Sequence, residues 1–156
     1  MKTKRIIALA AATMVGMTLA AQTLNVQVGN VTYQIPSAQA GEMVYQSGET
    51  VTILDKVYNL SEVDRMYVDN TDVVDNTVQV AYDGDEAQVF VAGNVARYIT
   101  VAMSGAHVSI IQSSDVAEEI TYTLSGQTGD GEFYMTGSYK ATVELNGLTL
   151  TNANPV

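Results

Sequence analysis

The chain has 156 residues, with 17 acidic and seven basic side chains, one histidine and no cysteine. Without cysteine there are no disulfide staples, no thiol catalysis and no lipid attachment through an N-terminal Cys. The acidic balance makes nucleic acid and anionic membrane surfaces poor partners, because like charges repel.

The N-terminus reads as an export signal. Lys2, Lys4 and Arg5 form a positive start, Ile6 to Ala20 is uncharged and largely apolar, and Ala20, Ala21 and Gln22 make a small-residue cleavage region. The apolar run falls short of the ~20 residues a spanning helix needs. The expectation is a signal peptide over 1–21 and an exported product, secreted, periplasmic or at the cell surface, with no membrane insertion after cleavage. The remaining basic residues are Lys56, Arg65, Arg97 and Lys140, and all the acids lie downstream of the leader.

Beyond the leader the apolar residues recur with period two, the mark of half-buried strands. Leu24, Val26 and Val28 lead through Gly29-Asn30 to Val31, Tyr33 and Ile35, a hairpin pattern that Pro36 closes. Short strands are predicted at Met43–Tyr45, Val51–Ile53, Val57–Leu60 and Tyr67–Val68, with one helical turn from Ser61 to Asp64 capped by Ser61. Residues 22–69 then form a small N-terminal β-module. The polar stretch 70–76 reads as a linker. Asp69, Asp72 and Asp75 do not have the spacing of a calcium helix-loop-helix site.

Residues 77–156 continue as short strands around Val78–Tyr82, Val89–Val91, Ile99–Met103, Val108–Ile110, Ile120–Leu124, Phe133–Met135, Ala141–Leu145 and Leu148–Leu150. Turns are expected at Asp83–Glu86, Ser104–Ala106 and Asn146-Gly147, and a flexible Gly-rich loop around Gly126, Gly129 and Gly131. The pattern predicts an all-β fold, with short antiparallel strands in one or two small modules. Leu145, Leu148 and Leu150 form an inward-facing set with no later strand to pair with. The chain therefore reads as the front part of a longer architecture, with self-association through the C-terminal strand edge as an expectation.

No catalytic apparatus is visible. His107 lacks a Gly-x-Ser-x-Gly nucleophile elbow, and a zinc site would need clustered His and Cys. Carboxylates are abundant, but no aromatic cluster marks a glycosidase cleft. The expectation is no enzyme, no catalytic or metal residue, and no ligand-binding residue that can be assigned. The nine tyrosines, Tyr134 and Tyr139 beside Gly137 among them, suit strand packing before ligand contact.

The segments Val116–Gly126, Gly131–Met135 and Gly137–Asn152, the last with Leu145-Asn146-Gly147-Leu148-Thr149-Leu150-Thr151-Asn152, resemble the opening of secreted carbohydrate-binding β-helix proteins of gut Bacteroidetes and some clostridia. The resemblance implies that the C-terminal strands form the first rung of a right-handed parallel β-helix of pectate-lyase-like fold. It also implies a non-catalytic polysaccharide binder, for an acidic plant-type or other glycan, with calcium as the one cofactor it leaves open. It transfers no binding role to any residue here. The alternative is a structural or adhesive module that spaces or attaches a neighbour.

Overall fold

In the computed structural model the described residues are 22–41 and 43–153, so the expected leader lies outside them. Alternation drives most of the fold, turning one set of side chains inward and the other outward, although residues 23–26 are buried on both faces. The strands are β1 (Thr23–Val28), β2 (Val31–Pro36), β3 (Val44–Gln46), β4 (Thr50–Ile53), β5 (Lys56–Asn59), β6 (Arg65–Asp69), β7 (Thr77–Asp83), β8 (Glu86–Ala92), β9 (Ile99–Ser104), β10 (His107–Gln112), β11 (Ile120–Thr128), β12 (Glu132–Thr136) and β13 (Ala141–Leu150). A four-residue helix, α1 (Ser37–Ala40), follows Pro36, and a 3₁₀ helix over Gly93–Tyr98 joins β8 to β9. Among the described residues no helix is long and apolar enough to cross a membrane.

Seven strands form one sheet in the order β13-β11-β7-β8-β2-β1-β6. Two three-stranded sheets, β12-β10-β9 and β3-β4-β5, complete the architecture. The inner face of the long sheet carries Val26, Tyr33, Val91, Val78 and Tyr122, all buried in one apolar cluster. The small sheets add Val51, Ile53, Tyr58, Val108 and Ile110 to the same cluster. Ring contacts tie the layers, Tyr33 edge-on to Tyr58 at 5.3 Å and Tyr122 against Phe133 at 6.3 Å. Each fully buried Val or Ile contributes about 1.5–3 kcal/mol.

The all-β expectation holds, but the sheet is mixed rather than antiparallel. Four pairings are parallel: β2 with β8, β7 with β11, β11 with β13, and β10 with β12. Residues 70–76 join β6 to β7, and strands from both sides of that segment share the long sheet. From β11 the chain passes to β12 in the facing layer and returns to β13, which lies parallel beside β11.

Three local readings need correction. Ser61 caps no helical turn: the Glu62 and Val63 N–H groups donate to the Asn59 carbonyl and the Asp64 N–H donates to the Gln27 carbonyl, so none of these donors is left for the Ser61 hydroxyl. Asn146-Gly147 is not a hairpin turn. It lies inside β13, where the register against β11 slips between Ser125 and Gln127, so a bulge absorbs the extra residue. The expected flexible loop begins too early, because Gly126 sits within β11 at φ 84°. That conformation, and the lack of room for a Cβ against the Tyr82 carbonyl oxygen, require glycine there.

Candidate functional site

The outward side chains of β7, β11 and β13 make a polar groove of about 590 Å³. Parallel pairing stacks like on like. Thr121 stands between Thr77 and Thr142, and Thr123 between Gln79 and Glu144. Val74, Asp75 and Asn76 line one side, with Glu119 also at the groove.

Hydrogen bonds hold the rim. The Asn76 carbonyl accepts from the Thr121 N–H at 2.9 Å, and the Asn76 N–H donates to Asn94 Oδ1 at 3.1 Å. Asn94 Nδ2 donates back to Asn76 Oδ1 at 2.7 Å, and Asn76 Nδ2 donates to Glu118 Oε2 at 2.7 Å. Glu119 accepts from Lys140 Nζ at 2.8 Å and from the Thr142 hydroxyl at 2.5 Å. These two donors, Lys140 first, hold the Glu119 carboxyl below its ordinary range.

The groove belongs to a wider surface. One row of paired residues crosses the outer face from Arg65 through Gln27, Thr32, Phe90, Gln79 and Thr123 to Glu144. At the usual strand spacing of ~4.8 Å this row spans roughly 30 Å. Its charges stand at the two ends, and amides, hydroxyls and one ring lie between. Arg65 Nε donates to Gln27 Oε1 at 2.6 Å while its guanidinium lies 4.6 Å from the Tyr67 ring centre. Thr32 in this row is buried, and the groove at the β7–β13 end carries the carboxylates of Asp75, Glu119 and Glu144 beside the donors and acceptors of Gln79, Thr121 and Thr123.

Of the residues weighed in the sequence, Asp75 lines the groove, while His107 and Asp69 fall elsewhere. His107 on β10 lies 3.7 Å from an Asp130 carboxylate oxygen and 3.6 Å from one of Glu132. Both contacts are to carboxylates, so they orient no nucleophile. Asp69 accepts from the Thr71 N–H at 3.0 Å, and Asp75 accepts from Gln39 Nε2 at 3.1 Å, so these two acids of the Asp-rich stretch have separate local partners. Among the described residues no group of three or more His, Cys, Asp or Glu could hold a metal ion.

Of the tyrosines, Tyr33, Tyr58, Tyr82 and Tyr122 are buried, while Tyr45, Tyr134 and Tyr139 are exposed. Lys56 Nζ lies 4.6 Å from the Tyr33 ring centre, and burial pushes its amine down from the ordinary lysine value. The groove residues Gln79, Thr121 and Thr123 were not singled out in the sequence. Their signal was the pair of patterns Thr77-x-Gln79 and Thr121-x-Thr123, which becomes a site only once β7 and β11 pair in parallel. Comparison with family models, with curated proteins and with solved structures found no match for this chain.

Proposed function

We propose that this is an exported, non-catalytic polysaccharide-binding β-protein, with the outer-face groove of β7, β11 and β13 as its glycan surface. The observation that carries the reading is the set Thr77, Gln79, Thr121 and Thr123, which parallel pairing of β7 with β11 brings side by side in the groove. Sugar hydroxyls need closely spaced donors and acceptors, and Gln79, Thr121 and Thr123 supply both along one groove. The passage from β11 through β12 to β13, with parallel pairing in each layer, is how a parallel β-helix would begin, and it favours the resemblance at these residues. Calcium enters as a bridge for acidic glycans, because an acidic protein repels them otherwise.

The test is retention of the purified exported protein on immobilised polygalacturonate, cellulose and mucin glycans, with calcium and then with chelator. Retention on at least one matrix is expected, and loss in chelator would assign the bridging role to calcium. No retention on any of these matrices by demonstrably folded protein overturns the reading.

A spacer or attachment module is the second reading. The edge of β13 favours it, being unpaired among the described residues, with Leu145 there 70 % exposed. Partner capture or self-association without glycan affinity would select it over the first.

A further inference from the structure

We propose that the free edge of β13 is an interface for a second copy of this chain, paired antiparallel about a two-fold axis. The inference deepens the second reading and does not depend on glycan binding.

β13 ends the long sheet, so one of its edges is unpaired among the described residues. It is ten residues long, about 33 Å of strand edge at ~3.3 Å per residue. Its inner face continues two ladders of the core, Val78–Tyr122–Val143 and Val80–Leu124–Leu145. The first two members of each ladder are buried, whereas Val143 is 46 % and Leu145 70 % exposed. At the opposite end of the sheet, β6 is five residues long and carries Arg65 and Asp69, charges that discourage pairing. β13 carries Glu144 as its one ionisable side chain.

The bulge makes this strand complementary to itself. Leu145 is inward because it pairs with Leu124, and Leu150 is inward because it pairs with Thr128, which is buried. Leu148 also packs against the core, so the inward set runs Val143, Leu145, Leu148, Leu150. An antiparallel pairing centred between Asn146 and Gly147 sets Leu145 against Leu148 of the second copy and Val143 against Leu150. Each inward side chain then meets an inward one, and the contact closes on itself. Glu144 faces Thr149 of the second copy, roughly 17 Å along the strand from the other Glu144. A parallel in-register pairing would instead set Glu144 beside Glu144, which is destabilising. Two strand edges make a small interface, below the ~800 Å² per partner of standard complexes, so association depends on concentration. Both copies are acidic, so salt strengthens the dimer by screening their repulsion.

The test is sedimentation of the purified exported protein from micromolar to submillimolar concentration. A monomer–dimer equilibrium is expected, tightening roughly three- to tenfold between low and high salt. Leu145→Lys alters an exposed side chain and should give a monomer with an unchanged melting temperature. Because the chain has no cysteine, Val143→Cys/Leu150→Cys should oxidise to a covalent dimer, and Thr142→Cys/Leu150→Cys, which breaks the facing pairs, should not. Four results would overturn the proposal: a monomer throughout, open-ended polymers, a dimer indifferent to Leu145→Lys, or equal cross-linking of both cysteine pairs. A monomer that still binds glycan leaves the polysaccharide reading standing.

Discussion

The Tyr122 hydroxyl donates to Gln112 Oε1 at 2.7 Å, a buried hydrogen bond that joins β11 to β10 across the two layers. Tyr58 is as deeply buried, yet its hydroxyl has no partner among the described residues. Opposite responses to the same change are therefore expected. Tyr122→Phe strands the Gln112 carbonyl and should cost about 1–2 kcal/mol. Tyr58→Phe removes an unsatisfied hydroxyl and should be neutral or stabilising. Urea unfolding measures both, and an equal loss in the two variants would refute this assignment.

Two glycines at positive φ should differ in kind. Gly126 has φ 84° and its missing Cβ would overlap the Tyr82 carbonyl, so Gly126→Ala must part β11 from β7 or unfold the chain. Gly147 has φ 68° with open space around it. Gly147→Ala should cost only the left-handed backbone penalty, about 1–2 kcal/mol. Thermal melts of the two variants separate a steric cost from a conformational one.

Alkaline pH should unfold the protein through its buried phenols. Burial pushes Tyr82 and Tyr122 each up to about 12, and it pushes Tyr58 up in the same direction. The fold prefers the neutral phenol, so this stability is present in full below the ordinary tyrosine value near 10. It is lost as pH rises through about 12. Tyrosinate absorbance from the buried rings should rise only together with loss of circular dichroism. A single phase near pH 10 with the fold intact would contradict the burial of these rings.

At acid pH the sign reverses. Glu119 is held below its ordinary range by Lys140 and then Thr142, so its contribution is present above that range and lost as pH falls through the lowered value. Lys140→Ala should move the Glu119 titration upward, toward the ordinary glutamate value, when followed by carbon-detected NMR. An unmoved titration would show that the contact is not formed in solution.

Groove variants should separate binding from folding. Gln79→Ala and Thr123→Ala remove outward-facing polar groups and should leave the melting temperature within a few degrees. Retention on the glycan matrix that binds wild type should fall at least about fivefold, the effect of losing one hydrogen bond of about 1 kcal/mol. Unchanged retention in both variants would move the glycan surface away from this groove.

Much of the secondary structure was legible because its causes are local. Period-two alternation marked β1 and β2, and Gly29 and Gly84 sat at positive φ where turns were read. The 3₁₀ helix over Gly93–Tyr98 left no comparable trace, because close approach of Gly93 to Ile35, a contact distant in sequence, is part of what shapes it. The candidate groove was illegible for the same reason. Thr77, Thr121 and Thr142 lie far apart along the chain and meet only through parallel pairing.

By itself the sequence determined the acidic surface, the absence of thiol chemistry and the β character, since composition and nearest-neighbour alternation suffice for these. The tertiary structure alone decided that β2 joins β8, that β7 joins β11, and that Asn146-Gly147 bulges rather than turns. An Asn-Gly pair is compatible with either geometry. At Gly147 the outcome was set by β11, which lies alongside and holds β13 extended on both sides of the bulge.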